Sequence, residues 1–365
     1  MSEIFRSSEM AVRTVGGFAS AACVITFSPY SDERTLDRPG FGEAFFRDRS
    51  IDAVHVISRE NDWYQYPETP IMAAQVAELV SRYERVVAYG SSMGGYAAIR
   101  FGGLAGASAA LAISPQFSVD RQTAPSEVRW KRDSERIDFS LERTLKAPFV
   151  ETSCIVYDPE DADQRQVDMY RGHTRVVDVR LATVGHPAIG AIAGANLLSD
   201  LVIGVVENRL DPDDFVRRMA QQHQGTAAFH FVMSTRAEAE CDRIAHAALA
   251  AQMSPGHLGY VLGHASLLAA AGSFDEAEAG FAAASAIAPG HPVLIQRLIT
   301  FHQQRGDLET ALELARSLVQ RHSERFQPLL DDLEKQWRSR QRRKRLARLV
   351  FGERGESAVG GRTIR

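Results

Sequence analysis

Between Ala21 and Leu181 the chain alternates short apolar runs with longer stretches of helical period, and that alternation leaves few folds open. The runs lie at 23–27, 53–57, 86–89, 109–113, 154–157 and 176–181. They are rich in Val and Ile and mostly apolar on both faces, as strands covered on both sides must be. Only the last alternates, through Asp178 and Arg180, which suits an edge strand. Between the runs the spacing predicts helices over 42–49, 70–84, 93–101 and 163–171, with another after His186. Units of this kind build an α/β fold with a mostly parallel, doubly wound sheet. The longest connection, 115–149, is charged, carries Trp130, and lies where a small lid can cover a site.

Near Leu210 the strand signal stops and the composition turns rich in Ala, Leu, Glu and Gln, which marks a second, all-α domain. The expected division is 1–209, 210–334 and a basic extension with a disordered end over 335–365. Within the helical part Gly272 recurs as Gly306, Phe274 as Leu308, Ala277 as Ala311, Phe281 as Ala315 and Ala284 as Leu318, each 34 residues on. A helix pair of that length cannot cover its own apolar face, and small residues at the crossings let neighbouring copies stack. The segments 272–289 and 306–315 resemble the second half of a tetratricopeptide repeat. Helix A departs from that pattern at its aromatic positions, which hold Val261 and Leu268, and the second copy has Ser323 where a proline belongs. Two copies fall short of the roughly three a stack needs, so helices over 211–251 are expected to supply packing surface. The resemblance implies docking of a protein partner.

Composition excludes several classes. Hydrophobic residues make up 45% of the 365 and charged residues 24%, as in folded globular chains. Cys23, Cys154 and Cys241 are far apart, which supports neither a disulfide framework nor a thiolate zinc site. The first ten residues carry acids and no apolar stretch of signal length, so a cytoplasmic location is expected. The apolar segment 187–206 is interrupted by Asn196, Ser199 and Asp200 and reads as a buried helix rather than a membrane span. Net charge is −4, yet 335–350 holds eight basic residues and no acid. A solvated terminal helix accounts for this segment. With Trp337, Leu346, Leu349 and Val350 as an apolar edge, it also suits an anionic membrane surface or an acidic partner. Nucleic acid is not favoured, since no reading module accompanies the charge.

Ser92 lies in Tyr89-Gly90-Ser91-Ser92-Met93-Gly94-Gly95, directly between an apolar run and a helical stretch. A serine on such a strained turn projects its hydroxyl from the sheet edge, and residues two before and two after it must be tiny. Gly90 and Gly94 meet this requirement for Ser92; Tyr89 and Met93 fail it for Ser91. A serine hydroxyl needs an imidazole to take its proton, and the imidazole needs a carboxylate to orient it. His55 sits inside a strand pattern, His173 precedes one, and the histidines from His223 on fall in the helical part. His186 follows the last strand, with Pro187 suited to the first turn of the next helix. The acid belongs after the strand at 154–157, where three aspartates compete. Asp161 has the best offset, Asp158 at the strand end is second, and Asp163 is a third choice that also suits a helix cap.

In the order Ser92, Asp161, His186, residues 21–207 resemble the α/β-hydrolase superfamily. The resemblance implies a serine hydrolase or acyltransferase acting on a small-molecule or glycan ester through an acyl-serine intermediate. The oxyanion would be held by the backbone N–H of Met93 and by one from the loop Phe27-Ser28-Pro29-Tyr30. Pro29 lacks an N–H, which leaves Ser28 or Phe27 as the second donor. Trp63 and Tyr64, with Tyr66 nearby, follow a strand and are placed to line a substrate. No dinucleotide fingerprint, phosphate loop or zinc-protease helix is present in the sequence, so no cofactor and no metal are expected. The competing reading is a non-catalytic scaffold that keeps the hydrolase fold.

Overall fold

The computed structural model describes residues 2–17, 20–322 and 326–352; the end expected to be disordered, 353–365, lies outside them. The chain divides into two compact units, Met1–Val232 and Met233–Arg365.

The first unit is built on eight strands: β1 (Ser2–Arg6), β2 (Met10–Val15), β3 (Ala22–Phe27), β4 (Asp52–Ser58), β5 (Arg85–Ser91), β6 (Ala109–Ile113), β7 (Thr152–Tyr157) and β8 (Arg175–Arg180). They lie in the order β1-β2-β4-β3-β5-β6-β7-β8. The six expected strands are parallel to one another, and β8 is the edge. The two strands not foreseen, β1 and β2, form an antiparallel hairpin beside β4. Successive side chains of a strand face opposite sides. Thus Ile25, Phe27, Ala88, Ala112 and Ile155 enter one core with the helices Thr69–Val80 and Met93–Arg100. Val24, Val87, Leu111, Val156 and Val179 enter the other, with Phe46, Ile192, Leu201 and Val205. The apolar segment at 187–206 is accordingly two short helices, Ile189–Gly194 and Leu198–Val206, packed on this second face.

The expected boundary after residue 209 is too early. Helix Pro212–Gln222 puts Phe215 and Met219 into the second core of the sheet, so cutting there would open that core.

In the second unit the 34-residue pattern is a packing pattern. Ala277, Ala311, Ala284 and Leu318 are wholly buried, and Phe281 and Ala315 nearly so. Gly272 and Gly306 each take a left-handed φ at the turn before helices Phe274–Ile287 and Leu308–His322, a conformation that glycine adopts without cost. A Cβ on Gly280 would lie 2.8 Å from that of Ala265, the close crossing that small residues permit. The stack is extended by Glu240–Met253 at one end and Gln327–Gly352 at the other, through Leu330 and Leu333. Of the helices expected to add packing surface from 211 to 251, Pro212–Gln222 belongs to the sheet instead. The basic segment continues helix Gln327–Gly352, with Trp337 and Leu346 exposed. Among the described residues no helix is long and apolar enough to cross a membrane.

Candidate active site

Ser92 sits between β5 and helix Met93–Arg100 with φ 52° and ψ −119°, a strained backbone that the turn enforces. The enforcement is visible at the glycines. A Cβ on Gly90 would lie 2.1 Å from the Gly94 carbonyl oxygen, and one on Gly94 would lie 2.3 Å from that of Phe27. The Ser92 N–H is tied to the Ile113 carbonyl at 2.8 Å. The Ser91 hydroxyl is buried and has no partner among the described residues.

Parallel register brings the ends of β5, β7 and β8 to one edge, and the loops beyond them meet there. Ser92 Oγ lies 3.0 Å from His186 Nε2. His186 Nδ1 lies 2.9 and 3.0 Å from the two carboxylate oxygens of Asp163. These contacts assign the neutral ring its tautomer: Nδ1–H donates to Asp163, and Nε2 accepts from the serine hydroxyl. Pro187 precedes the next helix rather than opening it, since that helix begins at Ile189.

The acid beside His186 is therefore Asp163 and not Asp161. Asp161 is partly exposed, caps the Ala162 N–H at 2.6 Å and meets Arg129 at 3.1 Å. Asp158 does not reach the imidazole either: one oxygen accepts the Glu160 N–H at 3.0 Å and the other the Gly185 N–H at 2.8 Å. It thereby anchors the residue before His186. Asp163 opens helix Asp163–Tyr170 but does not cap it, because its wholly buried carboxylate is turned toward His186 and Arg129. Burial alone pushes this carboxyl up, but hydrogen bonds and charge from His186 and Arg129 outweigh that and hold it below the ordinary 3.8.

On the oxyanion side, Met93 contributes the first N–H of a helix, which has no intrahelical acceptor. Ser28 is not available as the second donor: its N–H is committed to the Val56 carbonyl at 3.1 Å. The next N–H past Pro29 is that of Tyr30, whose ring packs against Trp63 and Trp130 at 6.0 and 5.2 Å.

Trp63 and Tyr64 are wholly buried and spend their polar atoms on neighbours of Ser92. Tyr64 donates its hydroxyl to the Ser28 carbonyl at 3.0 Å, and Trp63 Nε1 donates to Gln116 Oε1 at 3.2 Å. Tyr66, also buried, donates to the Glu60 carbonyl. They brace the site's walls. The surface beside His186 is instead Trp130, 6.1 Å away between ring centres, with an Nε1–H that is buried and has no acceptor among the described residues.

Three residues of the 115–149 connection complete the site. Besides Trp130, Arg129 binds Asp163 at 2.8 Å and Glu127 at 2.7 Å, and Gln116 Nε2 donates to Ser92 Oγ at 3.0 Å. Only Trp130 had a sequence signal, as the aromatic of the expected lid. No cluster of metal-ligating side chains occurs among the described residues.

A model of the Alpha/beta hydrolase family matches residues 15–243. A search of curated proteins returns no match. Among solved structures, the capsule O-acetyltransferase of Neisseria meningitidis serogroup A aligns at 13% identity over 56% of this chain and 94% of the other, with a TM-score of 0.41. A lipase/esterase from Lactobacillus plantarum aligns at 11% identity over 57% and 96%, with a TM-score of 0.37. YrrB, a TPR protein with an unusual peptide-binding site, aligns at 18% identity over 40% and 74%, with a TM-score of 0.27.

Proposed function

This chain belongs to the alpha/beta hydrolase family, and from that premise we propose that it is a serine-dependent hydrolase or acyltransferase using Ser92, His186 and Asp163. The observation that carries the reading is one unbroken hydrogen-bonded line from Ser92 Oγ through the imidazole to a buried carboxylate. In that line Ser92 Oγ attacks an ester carbonyl while its proton passes to His186 Nε2. Asp163 then stabilises the imidazolium, which returns the proton to the leaving alcohol. The tetrahedral oxyanion forms against the Met93 N–H, with Tyr30 as the candidate second donor. Water or an alcohol resolves the acyl-Ser92 ester by the same steps in reverse. The substrate class is a small-molecule or glycan ester, and the partly exposed Trp130 beside His186 supports its docking. The helical-repeat unit serves to dock a protein partner, and its basic final helix to meet an acidic partner or an anionic membrane from the cytoplasmic side.

A fluorophosphonate probe tests the chemistry. We expect the wild type to be labelled and Ser92→Ala and His186→Ala to lose labelling while keeping their circular dichroism. A folded wild type that resists the probe would remove the reading.

A further inference from the structure

We infer that Gln116 is the acceptor-positioning residue of this site, and that it makes an acyl-Ser92 intermediate selective for oxygen nucleophiles over amines. The inference rests on the acyl-serine reading above. Gln116 is wholly buried, and its backbone carbonyl accepts the Tyr170 hydroxyl at 2.6 Å. Trp63 fixes the carboxamide's orientation, because an indole N–H only donates and so must face Oε1, at 3.2 Å. Nε2 is thereby aimed at the reacting groups: it lies 3.0 Å from Ser92 Oγ and 3.4 Å from His186 Nε2.

In the free protein the serine's own oxygen satisfies this N–H. A hydroxyl oxygen has two lone pairs and one proton. Ser92 Oγ gives its proton to His186, accepts Gln116 with one lone pair, and keeps the other for attack. Once Oγ is esterified it becomes a poor acceptor, and the buried N–H needs a new partner. The arriving acceptor must bring its proton within reach of His186 Nε2, and that position also borders Gln116 Nε2. A water or alcohol oxygen repeats the serine's arrangement, with one lone pair for Gln116 and one for the acyl carbon. An amine nitrogen has a single lone pair and spends it on the carbonyl, which leaves the Gln116 N–H unpaired. In either transfer the acyl–Oγ bond breaks as the new acyl–O or acyl–N bond forms. The acceptor's proton goes to His186 Nε2 and from there to Ser92 Oγ.

The test uses the full chain with p-nitrophenyl acetate in the presence of methanol and methoxyamine, an amine that is neutral near pH 7. The p-nitrophenol burst reports the acyl-serine, and the ratio of methyl acetate to N-methoxyacetamide reports selectivity. We expect the ratio to fall about tenfold in Gln116→Met, which fills the same space without an N–H. It should fall further in Gln116→Glu, whose carboxylate accepts an amine proton. The ratio is internal to each turnover, so partial unfolding of a variant does not move it. An intact burst with an unchanged ratio in both variants overturns the inference and leaves the acyl-serine reading standing. Absence of p-nitrophenol release by the wild type, or release that persists in Ser92→Ala, overturns that reading, and the inference with it.

Discussion

The turns after β5 and β7 lie at the same edge of the sheet and are specified in different ways. In the first, Gly90, Ser92 and Gly94 are held by backbone geometry, since a single added carbon at either glycine meets a main-chain atom. In the second, three aspartates within six residues share one side-chain type and take three tasks: Asp158 ties the loop before His186, Asp161 caps its own turn, and Asp163 faces the imidazole. A motif written in backbone sterics can be read residue by residue. One written in like side chains depends on where a distant loop brings its partner.

The sharpest way to separate the three aspartates is Asp163→Asn. The amide can present an N–H to His186 Nδ1 and so favour the wrong tautomer, with Arg129 left to Glu127 and Asp161. We expect esterase kcat to fall by about 10³–10⁴, measured with an aryl ester. Stability should separate them too. Because the folded protein holds the Asp163 carboxyl below 3.8, its ionic partnerships stabilise the fold above about pH 4 and are lost as pH falls through the folded value. The gap in urea midpoint between the wild type and Asp163→Asn should therefore be widest near neutrality and shrink in acid. A gap that is flat with pH would show that the carboxylate's charge does not contribute.

For the first turn the matching experiment is Gly94→Ala. The new methyl would lie 2.3 Å from the Phe27 carbonyl oxygen and 3.1 Å from that of Ser28, both main-chain atoms. We expect a loss of about 3 kcal/mol or more in the stability of the α/β unit by urea denaturation, or an insoluble product. A stable, fully active Gly94→Ala protein would show that this turn is no better specified than the other.

The same contrast explains what was legible in the sequence. The parallel strands announced themselves because all but the edge strand β8 are mostly apolar on both faces, and Ser92 and His186 because strand-end position and flanking residues single them out. Strand β1 was hidden: Ser-Glu-Ile-Phe-Arg is short, mostly exposed and charged, as edge strands tend to be, and offers no apolar run. Asp163 stands last by sequence because its place at a helix start has a common structural explanation. Gln116 and Arg129 had no signal at all, since a polar residue in a long connection acquires its task only when the loop folds back over Ser92. The boundary after residue 209 failed for a related reason. Pro212–Gln222 has the composition of a surface helix, and only Phe215 and Met219 tie it to the sheet.

The smallest expected effect is the most discriminating between sequence offset and geometry. Asp161→Asn removes the charge at the position that strand-end spacing favours. Its carboxylate is partly exposed, and its contacts are the neighbouring Ala162 N–H and one arm of Arg129. An Asn side-chain oxygen can still cap Ala162, and Arg129 keeps Glu127 and Asp163, so what is lost is one solvent-facing ion pair of about 0–1 kcal/mol. We expect kcat/KM within about threefold of wild type and an unchanged burst with p-nitrophenyl acetate. A loss comparable to that of Asp163→Asn would mean that His186 exchanges acids during turnover, and that the two aspartates at this turn share one task rather than dividing two.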